Sequence, residues 1–130
     1  MSPIRMSKTE SVIRVVLEFH EAFNLHDVTS MMQLMHDDCS FESFGPASDG
    51  AVYTGKGAVS EYWQQFFKTF LHAHLEIEDI FGMGKRCVLR WAQNWKINEA
   101  EQGTVRGVSI FLVVNSKIRE QLSYIKGTLS

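Results

Sequence analysis

The chain has 130 residues, of which 45% are hydrophobic and 22% charged, and its formal net charge is −2. That size fits one domain and is enough to bury a core without staples, roughly two-thirds of the unfolded surface. The charge balance contains no basic stripe that would support nucleic-acid binding, and no apolar stretch approaches the ~20 residues of a membrane span.

Residues 1–7 are expected to form a loose N-terminus ahead of a single domain at 8–130, and the segment before Lys8 lacks the apolar core of a secretory signal. Ser7 and Glu10 have the spacing of a capping box. Behind them Ile13, Val16, Leu17, His20 and Phe23 recur at helical spacing, which predicts a helix over 7–25. Asp27 can cap a second helix whose apolar face is Met31, Met32, Leu34 and Met35. Cys39, Phe41 and Ser43 alternate with Ser40, Glu42 and Phe44 as a strand would, and 45–50 is a loop by its turn chemistry. Val59, Tyr62, Trp63, Phe66, Phe67 and Phe70 form one broad apolar face of a third helix.

From Ala73 the period changes to two. Leu75 and Ile77 face one way, and His74, Glu76 and Glu78 the other, up to a turn at 82–85. Leu89, Trp91, Gln93, Trp95 and Ile97 make one face of the next strand. After turns at 98–103 and 115–117, strands over 104–114 and 118–126 close the pattern. Helices followed by hairpin-connected strands predict an α+β fold, not a parallel βαβ one.

Cys39 and Cys87 sit inside apolar runs without CxxC spacing, so they read as reduced, packed thiols of a cytoplasmic protein. His72, His74, Glu76 and Glu78 could suggest a metal. Same-face residues on one strand stand about 7 Å apart, however, too far for three ligands on one ion, and no metal or cofactor is expected.

Five segments together carry a resemblance. Glu21-Ala22-Phe23-Asn24-Leu25-His26-Asp27, Asp37-Asp38-Cys39-Ser40-Phe41-Glu42, Tyr53-Thr54-Gly55-Lys56-Gly57, Arg106-Gly107-Val108-Ser109-Ile110-Phe111 and Lys117-Ile118-Arg119-Glu120 occur in that order. The sequence thereby resembles the SnoaL-like and ketosteroid-isomerase-like branch of the NTF2-like superfamily over residues 8–127. The resemblance implies a cone: about three N-terminal helices packed on a strongly curved, mostly antiparallel sheet that encloses a pocket. Members include isomerases, polyketide cyclases, dehydratases and epoxide hydrolases as well as non-catalytic modules, so function must be argued from the site.

The family's acids are absent where the resemblance places them. The isomerase base position falls on Ser43, its Tyr position on Phe19 and its acidic oxyanion donor on Ser109. The cyclase acid falls on Ser123 and the cyclase His again on Ser109. A serine without a neighbouring base is a poor proton acceptor. A β-bulge that turned Glu42 inward would restore a carboxylate. Otherwise His20, on the apolar face of the first helix, is the one ionisable side chain directed inward and the candidate for acid/base catalysis.

The expected concave face offers Ser43, Trp91, Gln93, Trp95, Ser109, Gln121 and Ser123, with Phe19 and Trp63 from the helices. Indoles with neutral hydroxyls and amides suit a small, planar, apolar or aromatic molecule held by a few hydrogen bonds. Three readings follow: a binding protein that has lost the family's acids, an isomerase, cyclase or dehydratase working through His20, and a dimeric assembly module. Val88, Ala92, Val108, Ile110 and Leu112 on the convex face supply apolar surface for a homodimer.

Overall fold

In the computed structural model, which describes residues 7–45 and 49–127, the first helix starts where the sequence supplies its cap. Ser7 Oγ accepts from the Glu10 N–H and the Glu10 carboxylate accepts from the Ser7 N–H, and helix α1 runs Lys8–Asn24. The loose N-terminus expected over 1–7 falls mostly on residues 1–6, outside the described residues. Its last member, Ser7, is the helix cap. Residues 46–48 of the expected loop also lie outside them.

Helix α2 spans Val28–Gln33, and the Asp27 carboxylate accepts from both the N–H and the hydroxyl of Ser30. Those two bonds hold Asp27 below its ordinary carboxylate range. Met35, expected on the apolar face of this helix, instead opens strand β1, Met35–Glu42. The reason is tertiary. The Leu34 carbonyl accepts the Ile118 N–H at 2.8 Å, and Met35 pairs with Ile118 on the last strand. A short apolar run reads equally well in either period.

Strand β2, Val52–Thr54, is a three-residue edge element that the alternation did not announce. Helix α3, Lys56–Thr69, follows Gly55, whose φ of 86° is a conformation that L side chains rarely adopt. Strands β3 (His74–Met83), β4 (Arg86–Lys96), β5 (Gln102–Val114) and β6 (Lys117–Lys126) then run as successive antiparallel neighbours. The six strands form one open, curved sheet in the order β2-β1-β6-β5-β4-β3, with β1 and β6 parallel.

Register shifts bend this sheet at Ile77/Asp79, at Leu112/Val113 and between Met35 and Ser40. The second shift matters for the interior. It lets Ile118 and Gln121, three residues apart on β6, both face inward. Helix α1 lies across the concave face, and α3 closes it beside β1 and β2.

One close approach sets the middle of the sheet. Gly107 on β5 stands opposite Trp91 on β4, and a Cβ built there would meet the indole at 2.6 Å and the Tyr124 carbonyl at 2.4 Å. The absent side chain is the space that the Trp91 ring occupies. No helix among the described residues is long and apolar enough to cross a membrane.

Candidate functional site

Between α1, α3 and the concave face lies a recess with about 30 Å³ open to the centre of a water-sized sphere, and about 420 Å³ of atom-free space when its open mouth is counted. Helix α1 contributes Val16, Phe19, His20 and Phe23, one face of about two helical turns, and α3 contributes Trp63. The sheet contributes Trp91 and Gln93 from β4, Ser109 from β5, and Gln121 and Ser123 from β6. Eight of the sequence-derived candidates therefore meet in one place, because a two-residue strand period and a 3.6-residue helix period each put them on the inward face.

Three polar side chains on the sheet side are joined. Trp91 Nε1–H donates to Ser109 Oγ at 3.0 Å, and Ser109 Oγ lies 2.9 Å from Ser123 Oγ. This chain satisfies the buried indole and explains why small hydroxyls stand at two neighbouring inward positions.

The rest of the recess is different. His20 Nδ1, Trp63 Nε1, Gln93 Nε2 and Gln121 Oε1 are buried and have no hydrogen-bond partner among the described residues. All four belong to residues that line this recess. An unpaired buried polar atom costs on the order of 1–3 kcal/mol, so four around one cavity need a reason.

His20 is held from its other side. Asn24, one turn on, takes the Leu75 N–H on Oδ1 at 2.8 Å. Its Nδ2 lies 3.0 Å from the Leu75 carbonyl and 3.2 Å from His20 Nε2. Burial, with a smaller contribution from His74, lowers the His20 pKa, and Glu21 opposes the shift. Among the lining residues no carboxylate, lysine or arginine is present.

Two candidates do not line the recess. Ser43 is buried but closes the loop after β1: its hydroxyl donates to the Gly45 carbonyl at 2.9 Å and accepts the Ala51 N–H at 3.1 Å. Trp95 is absent from the lining; it stands edge-on to Phe70 at 6.1 Å and over Gly103. Parity alone fixes the face of a strand and not how far along it the recess reaches. Glu42 stays on the outer face, paired across to Leu122 and Val52, so no bulge brings a carboxylate in.

Asn24 and Phe44 were missed. Phe44 lines the recess because the chain leaves β1 after Glu42 and its ring turns to within 6.0 Å of Trp91. Asn24 had a signal, its i,i+4 spacing from His20 on one helix face. His26 has a structural role: Nε2 bonds the Ala73 carbonyl at 2.7 Å and the ring stacks on Phe67. Among the described residues no group of three or more His, Cys, Asp or Glu side chains is placed to hold a metal ion.

The profile of the SnoaL-like domain matches residues 16–121. The chain belongs to this family. Its fold is the NTF2-like one. A solved NTF2-like protein of unknown function from Mesorhizobium loti is 28% identical with a TM-score of 0.80, covering 98% of this chain and all of that one. Bal32a from a soil-derived mobile gene cassette gives a TM-score of 0.82 at 12% identity and 92% coverage of each chain. An LEH-like epoxide hydrolase from M. tuberculosis gives 0.79 at 17% identity, with 92% of this SnoaL-like chain and 86% of that chain covered. Likeness at the level of these last two speaks for the fold alone. Comparison with curated protein sequences gives no match.

Proposed function

We propose that this SnoaL-like protein binds a small, planar, mostly apolar and uncharged molecule in the recess. The observation that carries this reading is the set of four buried, unpartnered polar atoms on the wall of one otherwise apolar cavity. A filled core would match such atoms to each other or replace them with carbon. The aromatic walls of Phe19, Phe23, Trp63 and Trp91 favour a flat ring, and the lack of a lining cation disfavours an anion. Binding is favoured over proton abstraction because His20 is the single titratable group among the lining residues and no carboxylate lines the recess with it.

Thermal-shift and NMR titrations with a panel of small planar aromatics test the reading. Micromolar or tighter binding with resonance shifts of Trp63 and Trp91 is the expected result. A flat response across the panel would overturn it.

A homodimer through the outer face of the sheet is part of the same proposal. Val88, Ile110 and Leu122 are cross-strand neighbours there, with Val108 and Tyr124 beside them, all at least partly accessible in the single chain. Sedimentation at micromolar concentration should give twice the monomer mass. A cytoplasmic location fits the two free, buried thiols, whose pKa values burial raises, that of Cys87 to about 11.

A further inference from the structure

The hydrogen bonds around Asn24 fix more than its own position. The Leu75 N–H can only donate, so the atom it reaches at 2.8 Å is the Asn24 oxygen, and Nδ2 is necessarily the amide nitrogen. One Nδ2 hydrogen goes to the Leu75 carbonyl at 3.0 Å, and the other faces His20 Nε2 at 3.2 Å. His20 Nε2 is therefore an acceptor, and a neutral imidazole with a bare Nε2 carries its proton on Nδ1. That Nδ1 is the buried atom without a partner.

The other framework donors agree in sign. Trp63 Nε1 can only donate and is also unpartnered. In the serine pair, Ser109 accepts from Trp91 and one hydroxyl hydrogen is used between the two oxygens, which leaves one hydroxyl hydrogen over. A carboxamide can present either end, so Gln93 and Gln121 do not change this balance. Two neutral donors of fixed sign, His20 Nδ1–H and Trp63 Nε1–H, and one spare hydroxyl hydrogen line a recess with no cationic side chain.

We propose that Asn24 is a positioning residue that holds His20 as a neutral Nδ1–H donor, and that the recess selects its planar ligand by an acceptor oxygen of carbonyl type. The proposal rests on the reading of the recess as a binding site and removes His20 as a general base. Its Nε2 lone pair is engaged by Asn24 and its Nδ1 is already protonated. An acceptor oxygen matches the donor set, whereas a plain hydrocarbon leaves every donor unpaired.

Two measurements on the whole chain test this. A long-range ¹⁵N–¹H correlation spectrum at pH 7.5, with His20 assigned by its loss in His20→Gln, should show Nδ1 protonated and Nε2 unprotonated. In Asn24→Asp the carboxylate replaces the donor, and the proton should move to Nε2. A wild-type ring protonated at Nε2, or a tautomer unchanged in Asn24→Asp, overturns the positioning role. The wild-type spectrum decides even where the variant fails to fold.

The second measurement compares 1-indanone with indane, which differ by a carbonyl in place of a methylene, by NMR titration. At least ten-fold tighter binding of 1-indanone is expected, with the ratio reduced several-fold in Asn24→Asp. Equal affinities overturn the donor assignment and leave the binding recess standing. Binding of neither compound overturns both.

Discussion

Trp91 on the sheet and Trp63 on helix α3 are 2% and 4% exposed and line the same recess, yet their N–H groups are treated oppositely. The sheet indole reaches Ser109, and Gly107 is bare so that its ring can lie flat on β5. The helix indole stacks on Phe41 and stands edge-on to Phe23, and its N–H meets no acceptor. The Trp91–Ser109–Ser123 chain is finished as structure. Trp63 and His20 on the helices, and the Gln93 and Gln121 amides on the sheet, keep polar atoms unpaired. Those open atoms are where a ligand gains hydrogen bonds that the protein does not already make.

The sharpest way to break the sheet side is Gly107→Ala. The new methyl meets both the indole and a backbone carbonyl that cannot move cheaply. Urea unfolding should show a loss of about 3 kcal/mol, the upper end for an overpacked core, with changed Trp91 fluorescence. Paired replacements then isolate the two N–H groups. Trp91→Phe and Trp63→Phe both lose packing, but only the first strips a buried serine pair of its donor, so it should cost about 1 kcal/mol more. Equal losses would remove the distinction between the two indoles. Ser123→Ala should cost about 0.5–1 kcal/mol, since Ser109 keeps the indole as its partner.

The smallest expected effect is a pH dependence at His20. The folded-state pKa of His20 is depressed, so the unfolded chain binds the extra proton. Stability from this residue is complete above the unfolded value of ~6.5 and declines as pH falls through it. His74 and Glu21 are the charged neighbours that act on it, in opposite directions. Chemical unfolding at pH 7.5 and pH 5.5 should show a smaller difference in His20→Gln than in wild type, and an unchanged difference would place the proton uptake elsewhere.

Much of this was legible beforehand because it follows from local chemistry. The capping box at Ser7 and Glu10 marks a helix start, and the alternation of Leu89, Trp91 and Gln93 places three inward side chains without knowledge of their neighbours. Met35 was misread because an apolar run at a helix end has no period of its own, and the pairing partner that claims it is Ile118, far along the chain. Ser43 and Trp95 have the right parity and the wrong place, one in a loop closure and one packed edge-on against Phe70.

By itself, then, the sequence determined the α+β class and the inward face of each long strand, since periodicity and residue chemistry are local properties. Only the tertiary structure decided which inward residues share a cavity and which polar atoms are left unpaired there. It also decided that Asn24 grips Leu75 across 51 positions and so sets the protonated nitrogen of His20. Hydrogen bonds between distant segments depend on where the chain is brought together, and that is decided by packing rather than by spacing along it.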